Sequence, residues 1–269
     1  MARLGHVALS RAGLTHVAED SPPQNDRRRA VSAVGEIDVS RREQSKAARR
    51  DAILEAARVL IRTEGPQVAA EKIAQHAGVS TATVYNLIGP REQMLGLLLS
   101  DLFEDLRERV CALDVADPFL IGEAVVVYSA RMFIEDARLW RHVIPEIRGA
   151  FAVRVQPFVS FQPINLQRQA MRTAKDVGML IRTADAEMTA TQIYAAYNGA
   201  LFLWAGGFLS DDAFLSTAKA GYWAVLAALA AGEHRRRALR KVTELHTARA
   251  HALLVDIDLD SKRTPPANG

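Results

Sequence analysis

The sequence predicts an all-α protein, and three observations carry that reading. Apolar side chains recur at intervals of three and four residues through most of the chain. Cap residues and Gly or Pro fall at the ends of these stretches. No segment has the strict alternation of a half-buried strand. The chain of 269 residues is 49% hydrophobic and 24% charged, which places it with water-soluble globular proteins long enough to bury a core. Its longest apolar runs, Gly199–Leu209 and Gly221–Gly232, are well short of the ~20 residues a membrane span needs. No apolar leader with a cleavage site opens the sequence, so a cytoplasmic location and no membrane partner are expected. A single cysteine, Cys111, excludes an intrachain disulfide and a multi-cysteine zinc site, and it reads as a small buried core residue.

Taken in order, residues 1–39 lack a sustained period, and Ser21-Pro22-Pro23 followed by Arg27-Arg28-Arg29 reads as a flexible tail. Ser40-Arg41-Arg42-Glu43 has capping-box spacing, so the first helix is expected to start there. Ile53, Leu54, Ala57, Leu60 and Ile61 give it an apolar face, and Gly65-Pro66 stops it. Two short helices follow, Val68–His76 and Thr81–Leu87. Pro90 then opens a long helix striped by Leu95, Leu99, Leu102, Phe103, Leu106, Val110 and Leu113. Asp117-Pro118 starts a helix to about Glu135. Residues 138–182 read as helical but broken at Pro145, Pro157 and Pro163. Asp185 opens a helix to about Gly206, Ser210 or Asp211 opens another to Gly232, and basic Glu233–Leu254 forms a last one.

The spacing in residues 70–89 carries the most information. With Gly78 in the turn, Ile73, Ala77, Val79, Val84 and Leu87 take the inward positions of a helix-turn-helix, and Ala74 is small enough for the two helices to cross closely. Ser80 can cap the second helix and leave its first turn facing outward, a shape the DNA major groove admits. Charge fits this division. Residues 41–92 carry nine basic and six acidic side chains, whereas 93–231 carry twelve and fifteen. A basic segment ahead of an acidic one suits a polyanion at one end of the chain.

The run Ile73-Ala74-Gln75-His76-Ala77-Gly78-Val79-Ser80-Thr81-Ala82-Thr83-Val84-Tyr85-Asn86-Leu87-Ile88-Gly89-Pro90-Arg91-Glu92-Gln93-Met94-Leu95 resembles the DNA-binding region of the tetracycline-repressor (TetR) family. Arg50-Asp51-Ala52-Ile53-Leu54-Glu55-Ala56-Ala57 is similar to that family's first helix, and Trp204-Ala205-Gly206-Gly207 to the end of its eighth. The chain departs from the pattern at Ile88, where the family has phenylalanine, and at Arg91, where it has lysine. It is also one residue short over Gly65–Ile73, and Ala69 and Ala70 replace the threonine that caps the family's second helix.

The resemblance implies a three-helix head (40–92) and a ligand-binding and dimerisation body (93–232), and the residues beyond read as a basic C-terminal helix and disordered tail (233–269). It implies a transcription regulator, in the main repressors, that binds double-stranded DNA at a roughly palindromic operator as a homodimer and responds to a small-molecule effector. Carried over by position, Thr81, Ala82, Tyr85 and Asn86 would face base edges or the adjoining backbone. Thr83, the Tyr85 hydroxyl, Arg91, Arg49 and Arg50 would reach phosphate. In the body, Tyr128, Met132, Trp140, Phe158, Met171, Tyr194, Tyr197 and Asn198 are candidate walls of a mainly hydrophobic effector site. Apolar Gly199–Leu209 and Tyr222–Ala231 suit helix packing between subunits. No catalytic motif is present, the histidines lack metal-ligand spacing, and no cofactor or metal is expected. The competing reading is a helical small-molecule-binding protein or enzyme that uses the body alone.

Overall fold

A computed structural model describes the backbone of residues 24–147, 154–155, 157 and 162–249. The chain divides into two compact units, residues 1–47 and 48–269. Ten helices lie among the described residues. They are α1 (Gln24–Glu64), α2 (Ala70–His76), α3 (Thr81–Leu87), α4 (Arg91–Cys111), α5 (Pro118–Glu135), α6 (Ala137–Glu146), α7 (Ile164–Asp176), α8 (Ala186–Ala205), α9 (Asp211–Leu229) and α10 (Gly232–Arg249). The described part of the first unit is the start of α1, and all other helices belong to the second. One isolated β-bridge joins Leu180 to Ala230, just before α8 and just after α9. The expectation of an all-α fold therefore holds.

The helix ends follow the cap residues. Asp117 accepts the Phe119 amide (2.8 Å) at the start of α5, and Asp185 accepts that of Met188 (2.6 Å) at the start of α8. Ser210 does the same for Ala213 (3.2 Å) at the start of α9. Two expectations need correction. First, α1 begins at Gln24, so Ser40 lies inside a helix and residues 24–39 are not an irregular tail. These residues contain no proline and one glycine, Gly35, and extending a helix from a formed turn needs no apolar stripe. Residues 1–23 of the expected tail lie outside the described residues. Second, Cys111 is exposed rather than buried, because it is the last residue of α4 and lies beyond the final buried stripe position, Val110.

One apolar core runs from head to body. Ile53, Leu54, Ala57, Leu60 and Ile61 of α1 are buried with Ile73, Ala74, Val84 and Ile88, and this group continues into Met94, Leu95 and Leu98 of α4. In the body, Trp204 stacks on Phe214 with ring centroids 5.2 Å apart, and Phe133 meets Trp140 edge-on at 5.3 Å. The fully buried Tyr222 and Trp223 seat α9 against α5. The Tyr222 hydroxyl donates to the Phe119 carbonyl (2.7 Å). Thus α4 shares one continuous core with the head at its start and with the body farther along.

Candidate nucleic-acid interface and ligand cavity

The turn between α2 and α3 has the conformation its sequence requires. Gly78 takes φ +66°, a left-handed value that glycine adopts without steric cost, and the Val79 amide returns to the Ala74 carbonyl (2.9 Å). Ser80 caps α3 by accepting the Thr83 amide (3.1 Å), and its hydroxyl also bonds to that of Thr83 (2.8 Å). The inward face of α3 is held by Val84, which is buried, with Leu87 half-buried beside it. The opposite face is open: Ala82, Tyr85 and Asn86 are exposed, and Thr81 and Thr83 are half-exposed. Tyr85 is 54% exposed, a large ring presented in good part to solvent. On α1, Arg49 is exposed and Arg50 half-exposed. At the start of α2, Ala69 makes no side-chain cap, as its sequence requires.

Arg91, expected to reach phosphate, is bonded within the chain. Its Nε donates to the Pro66 carbonyl (2.8 Å) and an Nη donates to the Glu146 carboxylate (2.8 Å). Glu146 also accepts from the Gln67 amide group (3.0 Å). A charge-assisted bond to a carboxylate holds a guanidinium more firmly than water does, so Arg91 links the α1–α2 loop to the end of α6.

Within the body, α4, α5, α6 and α8, with Val155, Gln162 and Pro163, line a partly open cavity of about 300 Å³. Leu99 and Phe103 come from α4, Ser129 and Phe133 from α5, and Ile144 and Ile147 from α6 and its C-terminal cap. Tyr194, Tyr197, Asn198, Leu201 and Phe202 of α8 form the facing wall. Burial pushes the Tyr194 and Tyr197 hydroxyls above the ordinary phenol range, so both stay protonated across the physiological range. Of the residues expected to line this space, Tyr194, Tyr197 and Asn198 do so.

The others do not. Tyr128 packs beside a separate cluster built on Leu106, Val110 and Leu166, and Met171 is fully buried in the main core. Met132 and Trp140 face an outer groove between α1, α4, α5 and α6 instead. The groove's main charges already pair with each other, Arg58 with Asp101 (2.7 Å) and Arg62 with Asp136 (2.6 Å). Phe158 lies outside the described residues. Periodicity separates inward from outward positions, but it does not tell which inward position meets a void. Phe103, Phe133 and Ser129 were missed for that reason. Gln167 carried a legible signal: a polar residue on the inward face of α7 between Leu166 and Ala170.

Among the described residues no cluster of His, Cys, Asp and Glu could hold a metal, and no helix is long and apolar enough to cross a membrane. Comparison by sequence finds no matching family model and no matching curated protein. The fold does match solved structures. SmeT, the repressor of the Stenotrophomonas maltophilia multidrug efflux pump SmeDEF, is 21% identical, with 69% of this chain and 92% of that one covered at a TM-score of 0.55. RolR in complex with resorcinol is 20% identical over 75% and 98% of the two chains, at 0.53. TylP, a TetR regulator from Streptomyces fradiae, is 16% identical over 80% and 96%, also at 0.53. From the helix-turn-helix to the helical body with its cavity, this chain has the fold of the TetR-family transcription regulators.

Proposed function

We propose that the protein is a sequence-specific DNA-binding transcription regulator, a repressor in its basic action, whose DNA affinity changes when a small, mainly apolar molecule fills the body cavity. The observation that carries this reading is the double role of α4. Met94, Leu95 and Leu98 in its first turns share the apolar core of the head, and Leu99 and Phe103 farther along the same helix line the cavity. A ligand that prefers one placement of α4 changes the population of heads competent to bind DNA.

In this reading α3 enters the major groove with Thr81, Ala82, Tyr85 and Asn86 toward the bases, and Thr83, Arg49 and Arg50 hold the backbone. A single short helix reads too few base pairs for useful specificity. The working form is therefore a cytoplasmic homodimer on a roughly palindromic operator, its two α3 helices about 34–36 Å apart. The match to SmeT, RolR and TylP supports the architecture this mechanism needs. The test is selection of bound duplexes from a random pool by the full chain, followed by titration at several salt concentrations. A palindromic consensus with steeply salt-dependent affinity is expected. Failure to enrich any sequence would favour a ligand-binding protein that uses the body alone.

A further inference from the structure

Two unsatisfied polar groups beside the cavity define the chemistry of what it takes. The Tyr197 hydroxyl is buried beside Ser129 without a hydrogen bond of good geometry. Ser129 gives its own proton to the Val126 carbonyl (3.2 Å), so it offers the Tyr197 oxygen no donor. Nearby, Gln167 is 2% exposed; its Nε2 donates to the Gly122 carbonyl (2.8 Å), and its Oε1 has no partner. Tyr197 and Gln167 both line a small annex of about 10 Å³ that shares Ser129, Pro163, Tyr194 and Tyr197 with the main cavity. That is room for about one water-sized group. Buried polar atoms left unpaired are costly, so two of them converging on one small space mark a place for an incoming group.

We infer that the effector is a neutral ring compound bearing a hydroxyl, with the hydroxyl seated in the annex, donating to Gln167 Oε1 and accepting from the Tyr197 hydroxyl, and the ring in the main cavity. This rests on the reading of the cavity as the effector site. Each part follows from the walls. Gln167 Oε1 can only accept, so the group must donate. The Tyr197 phenol supplies the complementary donor. None of the described lining residues of the main cavity carries a charge, so neither a carboxylate nor an ammonium finds a counter-ion there. The annex is too small for a carboxylate. Phe103, Phe133 and Phe202 provide flat apolar surface for a ring. The main space, about 300 Å³ against about 10 Å³ for the annex, is large enough for a fused two-ring molecule.

A matched probe series tests this with the full-length protein: β-naphthol, β-methylnaphthalene and β-naphthoate, titrated by calorimetry at neutral pH. β-Naphthol is expected to bind about tenfold or more tightly than β-methylnaphthalene, the change that satisfying buried polar groups produces, with β-naphthoate weakest. Tyr197→Phe is expected to narrow the preference for naphthol several-fold. The same variant should keep or raise the melting temperature of the free protein, because it removes an orphaned hydroxyl. A residue with a merely structural role would not move affinity and stability in opposite directions. Equal binding of naphthol and methylnaphthalene, tightest binding of naphthoate, or an unchanged preference in Tyr197→Phe would overturn the inference while leaving the cavity as a ligand site. No binding by any of the three would overturn the cavity reading itself, and this inference with it.

Discussion

Asn86 and Arg91 are five residues apart and both are expected to meet DNA, yet their surroundings differ. Asn86 projects from the open face of α3, and its removal disturbs no packing. Asn86→Ala should therefore leave thermal stability unchanged and weaken the preferred duplex over a scrambled one by about 1–3 kcal/mol, the worth of a good base contact. Competition binding on the two duplexes measures that difference. Arg91 is bonded to Pro66 and Glu146, so Arg91→Ala should lower stability by about 1 kcal/mol in denaturant unfolding. The salt slope of DNA binding should stay as in the wild type. A slope lower by about one unit would mean that the guanidinium leaves Glu146 and takes a phosphate in the complex. Tyr85 belongs with Asn86 by exposure, and the Phe variant isolates its hydroxyl because the ring is kept.

The element scale is governed by contacts between helices that no single helix encodes. On α5, a Cβ at Gly122 would collide with the Tyr222 hydroxyl, which cannot retreat because it is bonded to the Phe119 carbonyl. Gly122→Ala should destabilise the fold by about 1–3 kcal/mol through forced separation of α5 and α9, measurable as a lower melting temperature. At the start of α5, Asp117 caps the helix and receives two guanidinium bonds from Arg237 of α10 (2.6 and 3.2 Å). Burial alone would raise its carboxyl, but Arg237 and the Phe119 amide outweigh that and hold it below the ordinary carboxylate range. The linked stability is present in full above the unfolded-state value near pH 4, and is lost as pH falls through the lower folded value. Asp117→Asn should therefore flatten the acid limb of the melting curve below about pH 4. The caps at Asp117, Asp185 and Ser210, the apolar face of α1 and the Gly78 turn were legible because each is a local rule about residues within one turn of each other. The start of α1, the outward position of Cys111, and the separation of cavity-lining Tyr197 from core Met171 were not, because they depend on where other helices lie.

For the whole molecule, the outstanding question is what covers the outward faces of α8 and α9. Met188, Gln192, Ala195, Gly199 and Leu203 fall at intervals of three and four along α8 and are exposed; Ala224 and Ala228 are exposed on α9. Leu203 is 44% and Met188 59% exposed, an arrangement of small and apolar side chains that lets another helix pair approach closely. The proposed homodimer uses this surface, and Gly199 allows a clean test of it. A Cβ built at Gly199 has no atom within 4 Å, so a side chain there costs nothing inside the chain. Gly199→Arg should keep the helical content and melting behaviour of the isolated subunit but place a charge in the centre of the proposed contact. Light scattering should then report a monomer where the unaltered chain is a dimer. Operator binding should fall steeply, since one α3 offers half of the reading surface and loses the fixed spacing to its partner. If the arginine variant stays dimeric and binds its operator as before, the subunits meet elsewhere and the two outward faces must be assigned a different role.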